Sequence, residues 1–162
     1  MSRVAVGLGS NKGDRLANIR RALKLIRERA GVVVAASDVF ETPPWGVAVQ
    51  PRFLNACVLV DVELPPHDLL AKFKEIEYDM GRLKKGGRWG PREIDIDILL
   101  YDDVRINDKD LTIPHQYMHE RAFVLMPLSE IATELTHPAS GLSISDLLAA
   151  SDSEGIIRIA CM

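Results

Sequence analysis

Arg88 to Tyr101 reads RWGPREIDIDILLY, and its second half sets Glu93, Asp95 and Asp97 against Ile94, Ile96 and Ile98. A period of two is the pattern of a half-buried strand, so three carboxylates share the polar face and the isoleucines face a core. Neighbours on that face lie about 7 Å apart, and carboxylates so close repel unless a cation stands between them. Asp95 and Asp97 can therefore converge on one or two Mg2+ ions, which take oxygen ligands and usually bring phosphate with them. Upstream lie Arg82, Lys84, Lys85, Arg88 and Arg92, spaced by Gly81, Gly86, Gly87 and Gly90. A glycine-loosened cationic run feeding an acidic strand reads as a metal–polyphosphate site. The plain alternative is an exposed edge strand with a solvated charged face.

Other segments must position that stretch. Arg3 to Leu8 predicts a strand ending in Gly9-Ser10-Asn11, a turn able to offer N–H groups to phosphate. From Asp14, Leu16, Ile19, Leu23, Ile26 and Ala30 fall at helical spacing, Gly31 is the expected stop, and Arg15, Arg20, Arg21, Lys24 and Arg27 read as a solvated face. Val32 to Phe40 predicts a second strand running into Glu41-Thr42-Pro43-Pro44-Trp45-Gly46. The prolines stiffen that loop, and Trp45 is either a platform for a flat ligand or a core cap. Phe53 to Glu63 predicts a third strand, antiparallel to the second, with Asn55 interrupting its apolar start. That amide is read first as bonded to neighbouring backbone, and its donors and acceptors also suit the edge of a heterocycle.

Pro65-Pro66 opens a second helix with Leu69, Phe73, Ile76 and Met80 as its buried stripe, Glu77 beside it and Gly81 at its end. After the acidic strand come a polar turn (102–110), an extended piece (111–115), a helical turn (119–123), short helices at 127–134 and 145–150, and a closing strand at 156–160. His115, Arg121 and Phe123 stand close together, while His137 reads as ordinary loop. The order is the βαββαβ of a ferredoxin-like α+β fold: an antiparallel sheet, helices on one face, the other face open to ligands, and C-terminal additions.

At 162 residues and 47% hydrophobic content, one domain with one core is expected. A net charge of −3 argues against general nucleic-acid binding. Cys57 and Cys161 imply no disulfide framework or zinc site. No signal peptide or membrane span is legible, so the expectation is a cytoplasmic protein.

The chain resembles the 6-hydroxymethyl-7,8-dihydropterin pyrophosphokinases. The resemblance rests on RWGPREIDIDIL and on Gly9-Ser10-Asn11, Glu41-Thr42-Pro43-Pro44, Phe53-Leu54-Asn55-Ala56, Gly81-Arg82, Leu111-Thr112-Ile113-Pro114-His115, Arg121-Ala122-Phe123 and Pro127-Leu128, in the family's order. It implies one domain over 1–162, a monomer, that moves the β,γ-pyrophosphoryl unit of ATP to the pterin hydroxymethyl group in folate biosynthesis. It implies two Mg2+ ions on Asp95 and Asp97, with Arg82 and Arg92 as catalytic cations. ATP contacts are implied for Glu77, Arg82, Lys84, Arg92, Ile98, Thr112, His115 and Arg121, with Trp89 closing over ATP. Pterin contacts are implied for Thr42, Pro43, Pro44 and Asn55, with Phe123 facing Trp45 or Phe53 across the ring. The chain departs from the commoner pattern at Trp45, Phe53, Asp110 and Gln116, with Tyr117 displaced by one.

Two other classes compete. A non-catalytic nucleotide- or pterin-binding domain would not need adjacent metal carboxylates beside a cationic loop. A metal-dependent phosphohydrolase needs a water-positioning group, for which Glu93 is spaced. An ordinary P-loop kinase is excluded by the absence of G-x-x-x-x-G-K-[ST].

Overall fold

The acidic stretch forms an edge strand of a mixed-length antiparallel sheet. The computed structural model describes residues 1–42, 51–81 and 93–162. Among these, the elements are β1 (Ser2–Ser10), α1 (Arg15–Arg29), β2 (Gly31–Ala36), β3 (Val39–Thr42), β4 (Phe53–Val62), α2 (Pro66–Asp79) and β5 (Asp95–Tyr101). They continue as β6 (Ile106–Asn107), β7 (Thr112–Ile113), a 3-10 turn (Met118–Glu120), α3 (Ala122–Ala132), α4 (Ile144–Ala149) and β8 (Ile157–Ala160). The main sheet runs β5-β1-β4-β3-β8, and β2 also pairs with β4. All these pairings are antiparallel. This is the α+β, ferredoxin-like arrangement that the element order predicts.

Both helices between the strands form for local reasons. Asp14 Oδ1 accepts the Ala17 N–H at 3.1 Å and caps α1. Pro66 occupies the first turn of α2, where no donor is needed. The residue after its C-cap, Gly81, has φ +95°, a conformation that favours glycine. The stripe Leu69, Phe73, Ile76 and Met80 is buried as predicted, against Val4, Val6, Leu8, Val58, Ile96 and Ile98. Burying each large side chain contributes roughly 1.5–3 kcal/mol.

Four expectations change. The second strand is two strands, because the ladder is interrupted at Ser37: its N–H still donates to the Cys57 carbonyl at 2.9 Å, but its Oγ takes the Cys57 N–H at 2.9 Å, and the next N–H, Asp38, goes to Glu130 at 2.8 Å. Gly31 begins β2 instead of ending α1, and a Cβ there would lie 2.3 Å from the Asp61 carbonyl oxygen. β1 continues through Gly9 to Ser10, and Ser10 and Asn11 are buried, so that stretch is not an open phosphate turn. The helical turn at 119–123 and the helix at 127–134 are replaced by a 3-10 turn and one helix, α3, that passes through Pro127. Burial of Ala122, Leu125, Leu128 and Ala132 offsets the backbone bond that Pro127 cannot donate.

The second face of the sheet is not wholly open. Leu99, Ala5, Cys57 and Leu59 pack there with Met118, Leu125, Leu128 and Ile144 of the 3-10 turn, α3 and α4. Apolar side chains on that face require cover. Its other end carries glycine and polar side chains. Among the described residues, no helix is long and apolar enough to cross a membrane.

Candidate active site

The end of the sheet beyond α3 and α4 gathers residues from four strands. Asp95 lies opposite Gly9, Gly9 opposite Asn55, and Asn55 opposite Phe40, forming one row. The next row holds Asp97, Gly7 and Cys57. Strands stand about 4.8 Å apart, so the Asp95 and Asn55 backbones are about 10 Å apart with only glycine between them. A Cβ on Gly9 would sit 3.1 Å from Asn55 Oδ1, whereas one on Gly7 would meet Leu99 at an ordinary 3.5 Å. The V-G-L-G pattern at 6–9 thus keeps a flat floor between an acidic edge and an amide, a signal present in the sequence but read there only as a turn.

The isoleucine face and two of the three carboxylates come out as predicted, whereas Glu93 lies in a bend before β5 and not on the strand. Ile94, Ile96 and Ile98 are buried, Asp95 is half-buried and Asp97 is exposed. Asp97 adds its negative charge to burial in raising the pKa of the Cys57 thiol, which is fully interior and inert. Glu77, expected on the nucleotide side, is only 3% exposed, and its carboxylate accepts the Ile96 N–H at 2.8 Å. The Ile98 side chain lies in the core beneath the sheet. Its backbone is what remains for a ligand to meet.

At the other end of the row, Asn55 Nδ2 donates to Thr42 Oγ1 at 2.7 Å. Thr42 is buried and lies opposite half-buried Phe53. Arg15, read as part of a solvated helix face, instead donates to Glu41 Oε2 at 3.0 Å and to the Arg52 carbonyl at 2.8 Å. Asn11 Nδ2 reaches the Pro51 carbonyl at 3.3 Å. These bonds tie the end of β3 to the start of β4, a tertiary relation that helical spacing could not reveal.

His115 and Arg121 approach from the C-terminal third. The His115 N–H donates to the Leu99 carbonyl at 2.9 Å, which docks the segment after β7 on β5. The preceding Ile113–Pro114 bond is cis. Burial pushes the His115 imidazole pKa below its ordinary value and nearby Arg121 adds to this, while Asp97 opposes it. The Arg121 guanidinium lies 5.1 Å from the Tyr117 ring centre and 5.7 Å from that of Phe123. Tyr117, displaced by one in sequence, therefore stacks on the arginine expected to grip phosphate.

Thr112 and His115 also line a cavity of about 380 Å³ shared with Arg105, Asn107, His119 and His137. His137, read as ordinary loop, is buried, and its Nδ1 accepts the Ser140 N–H at 3.1 Å. Of the remaining sequence-predicted residues, Pro43, Pro44, Trp45, Arg82, Lys84, Trp89 and Arg92 lie outside the described residues. Asp95, Asp97, Thr42, Phe53, Asn55, Phe123, His115 and Arg121 lie at the end of the sheet beyond α3 and α4 or at its α3 border.

The chain is similar to several known proteins. The family model for 7,8-dihydro-6-hydroxymethylpterin-pyrophosphokinase matches residues 5–133. A Methylorubrum extorquens 2-amino-4-hydroxy-6-hydroxymethyldihydropteridine pyrophosphokinase is 45% identical over 98% of this chain and 99% of its own length. An Aquifex aeolicus protein of the same name is 43% identical over 85% of each chain. The mitochondrial folate synthesis bifunctional protein of Pisum sativum is 48% identical over 79% of this chain, which spans only 25% of that protein. A crystal structure of Plasmodium falciparum HPPK-DHPS superimposes with a TM-score of 0.76 at 17% identity, covering 92% of this chain and 43% of that one. At that identity the likeness speaks for the fold alone.

Proposed function

Because the chain belongs to the 7,8-dihydro-6-hydroxymethylpterin-pyrophosphokinase family, we propose that residues 1–162 act as one domain transferring pyrophosphate from ATP to 6-hydroxymethyl-7,8-dihydropterin. The pterin hydroxymethyl oxygen bonds to the β-phosphorus, the bond from that phosphorus to the α,β-bridging oxygen breaks, and AMP leaves. The hydroxyl proton passes to solvent. The observation that carries the reading is the single row joining Asp95, through Gly9, to Asn55.

Asp95 and Asp97 fit Mg2+. They are hard carboxylate donors two residues apart on an edge strand of the sheet, and Mg2+ is usually held by one or two carboxylates together with substrate phosphates and water. Bound there, the metal would lower the pKa of the pterin hydroxyl and neutralise phosphate charge. The chain's own contribution is positioning and electrostatics, which dominate phosphoryl chemistry.

Asn55 reads the amino-pyrimidinone edge with the Oδ1 that it holds over Gly9, while Thr42 engages its amide nitrogen. Phe53 and Phe123 supply apolar walls for the pterin, together with Pro43, Pro44 and Trp45. Arg121 meets phosphate oxygens through a guanidinium already oriented by Tyr117 and Phe123. His115 lies beside Asp97 and serves the same triphosphate, and Thr112 with the Ile98 backbone lies toward the adenosine. By resemblance, Arg82, Lys84 and Arg92 complete the phosphate grip, and Trp89 covers ATP against water.

Chromatography of nucleotide products after incubation with MgATP, with and without the pterin, tests this. AMP that appears only with pterin, and is lost in Asp95→Ala and Asp97→Ala, is the expected result. ADP, or turnover without pterin, would make the protein a kinase or hydrolase. Binding of both ligands without turnover would make it a binding module.

A further inference from the structure

We propose that Glu77 is a positioning residue for the Asp95–Asp97 pair, acting through the β5 backbone and not through contact with the nucleotide. The inference rests on the pyrophosphoryl-transfer reading for what the pair does, but its geometry stands apart from that reading. Glutamate is among the residues least often buried without a partner, and Glu77 is 3% exposed on the inward side of α2. A carboxylate taken out of water must be hydrogen-bonded. Here Oε2 accepts the Ile96 N–H at 2.8 Å, and Lys74 Nζ stands 4.0 Å from Oε1.

Ile96 is the one residue between Asp95 and Asp97. Its side chain points into the core and theirs point to the other face, so the pitch of the Ile96 peptide decides how both carboxylates are presented. That pitch is not secured by the sheet alone. Among the described residues β5 is an edge strand whose one strand partner is β1, and the β1–β5 register shifts between Ala5 and Val6. Above the shift, Glu77 ties the strand to α2 with a charge-assisted bond, stronger than a neutral one. The carboxylate reaches β5 from the α1/α2 side, whereas Asp95 and Asp97 face away from that core. Metal sites elsewhere lose affinity when groups that orient their ligands are removed, and the same logic applies one step further back, to the backbone that carries the ligands.

The test uses the full chain and compares Glu77→Leu, which offers no acceptor, with Glu77→Gln, which keeps one. Three quantities are read: the Mg2+ concentration for half-maximal AMP formation, Mn2+ binding in the presence of α,β-methylene ATP by electron paramagnetic resonance, and binding of that analogue in EDTA. For Glu77→Leu the expected outcome is a rise of about tenfold in the metal requirement and a matching loss of Mn2+ affinity. Metal-free nucleotide binding should stay within about twofold of the parent, and Glu77→Gln should stay within about threefold on every readout. Weakened metal-free nucleotide binding in Glu77→Leu would overturn the proposal in favour of direct contact. So would damage in Glu77→Gln equal to that in Glu77→Leu, or a lowered melting temperature with unchanged metal dependence. If Glu77→Leu does not fold, Glu77→Asp, one carbon too short to reach, carries the same expectations. Should the parent make no AMP, the transfer reading fails while the Mn2+ measurement still decides the role of Glu77.

Discussion

Asn55 donates its side-chain amide to Thr42 Oγ1 at 2.7 Å across the β3–β4 pairing, which turns its Oδ1 over Gly9. An amide free to rotate would present either edge to a ligand. This bond selects one, so the amide that interrupts an apolar strand is oriented before any ligand arrives. Thr42→Val keeps the shape and removes the acceptor. We expect a stability loss of about 1 kcal/mol in urea denaturation, a raised KM for the pterin and an unchanged KM for ATP. An unchanged pterin KM would mean that Asn55 is oriented by something else.

Gly9 and Gly7 make a paired prediction. Both lie on the floor of the site, yet only at Gly9 would a methyl group crowd Asn55 Oδ1, at 3.1 Å. Gly9→Ala should weaken pterin binding about tenfold by displacing the amide from Thr42, and Gly7→Ala, with its nearest contact at 3.5 Å, should weaken it less. Calorimetric titration of the two variants with pterin, in the presence of a non-reacting ATP analogue, decides the order.

Arg15 joins β3 to the start of β4 through Glu41 and the Arg52 carbonyl. Both side chains are partly exposed, so their ion pair adds at most about 1 kcal/mol to stability. Its effect should appear in function instead. In Arg15→Ala the melting temperature should barely move, while the pterin KM rises and the metal dependence stays fixed. A shift in metal dependence would contradict a role confined to the Thr42–Phe53 end.

His137 gives the chain an acid-sensitive point. Burial first, then the nearby His119 and Arg105, hold its imidazole pKa below the ordinary 6.5. The unfolded chain therefore binds a proton on this group at a higher pH than the folded chain does. The stability it contributes is full above about pH 6.5 and is lost as pH falls through that value toward the depressed folded pKa. Melting temperatures measured from pH 7.5 to 5 should fall for the parent. Over the same range His137→Gln should show a shallower decline.

Much of the framework around the candidate site was legible because strand periodicity is local. Asp95 and Asp97 share a face with Leu99, and the isoleucines take the other, as two-residue alternation requires. The α2 stripe was legible for the same reason, with the helical period in place of the strand period. Arg15 and His137 were not legible. An arginine on an amphipathic helix and a histidine beside a proline carry no local mark of the partners that tertiary folding brings to them.

What the sequence by itself determined is therefore the chemistry: the carboxylate pair, the amide, the guanidinium and the strand and helix periods that set which way each faces. Tertiary structure alone decided which strand rows coincide, that Gly9 separates Asp95 from Asn55, and that α3 and α4 close one end of the face. It also decided that Glu77 turns inward to the Ile96 N–H. The physical reason is that side-chain direction follows from local backbone geometry, whereas register and burial depend on residues far apart in the chain competing for the same partners.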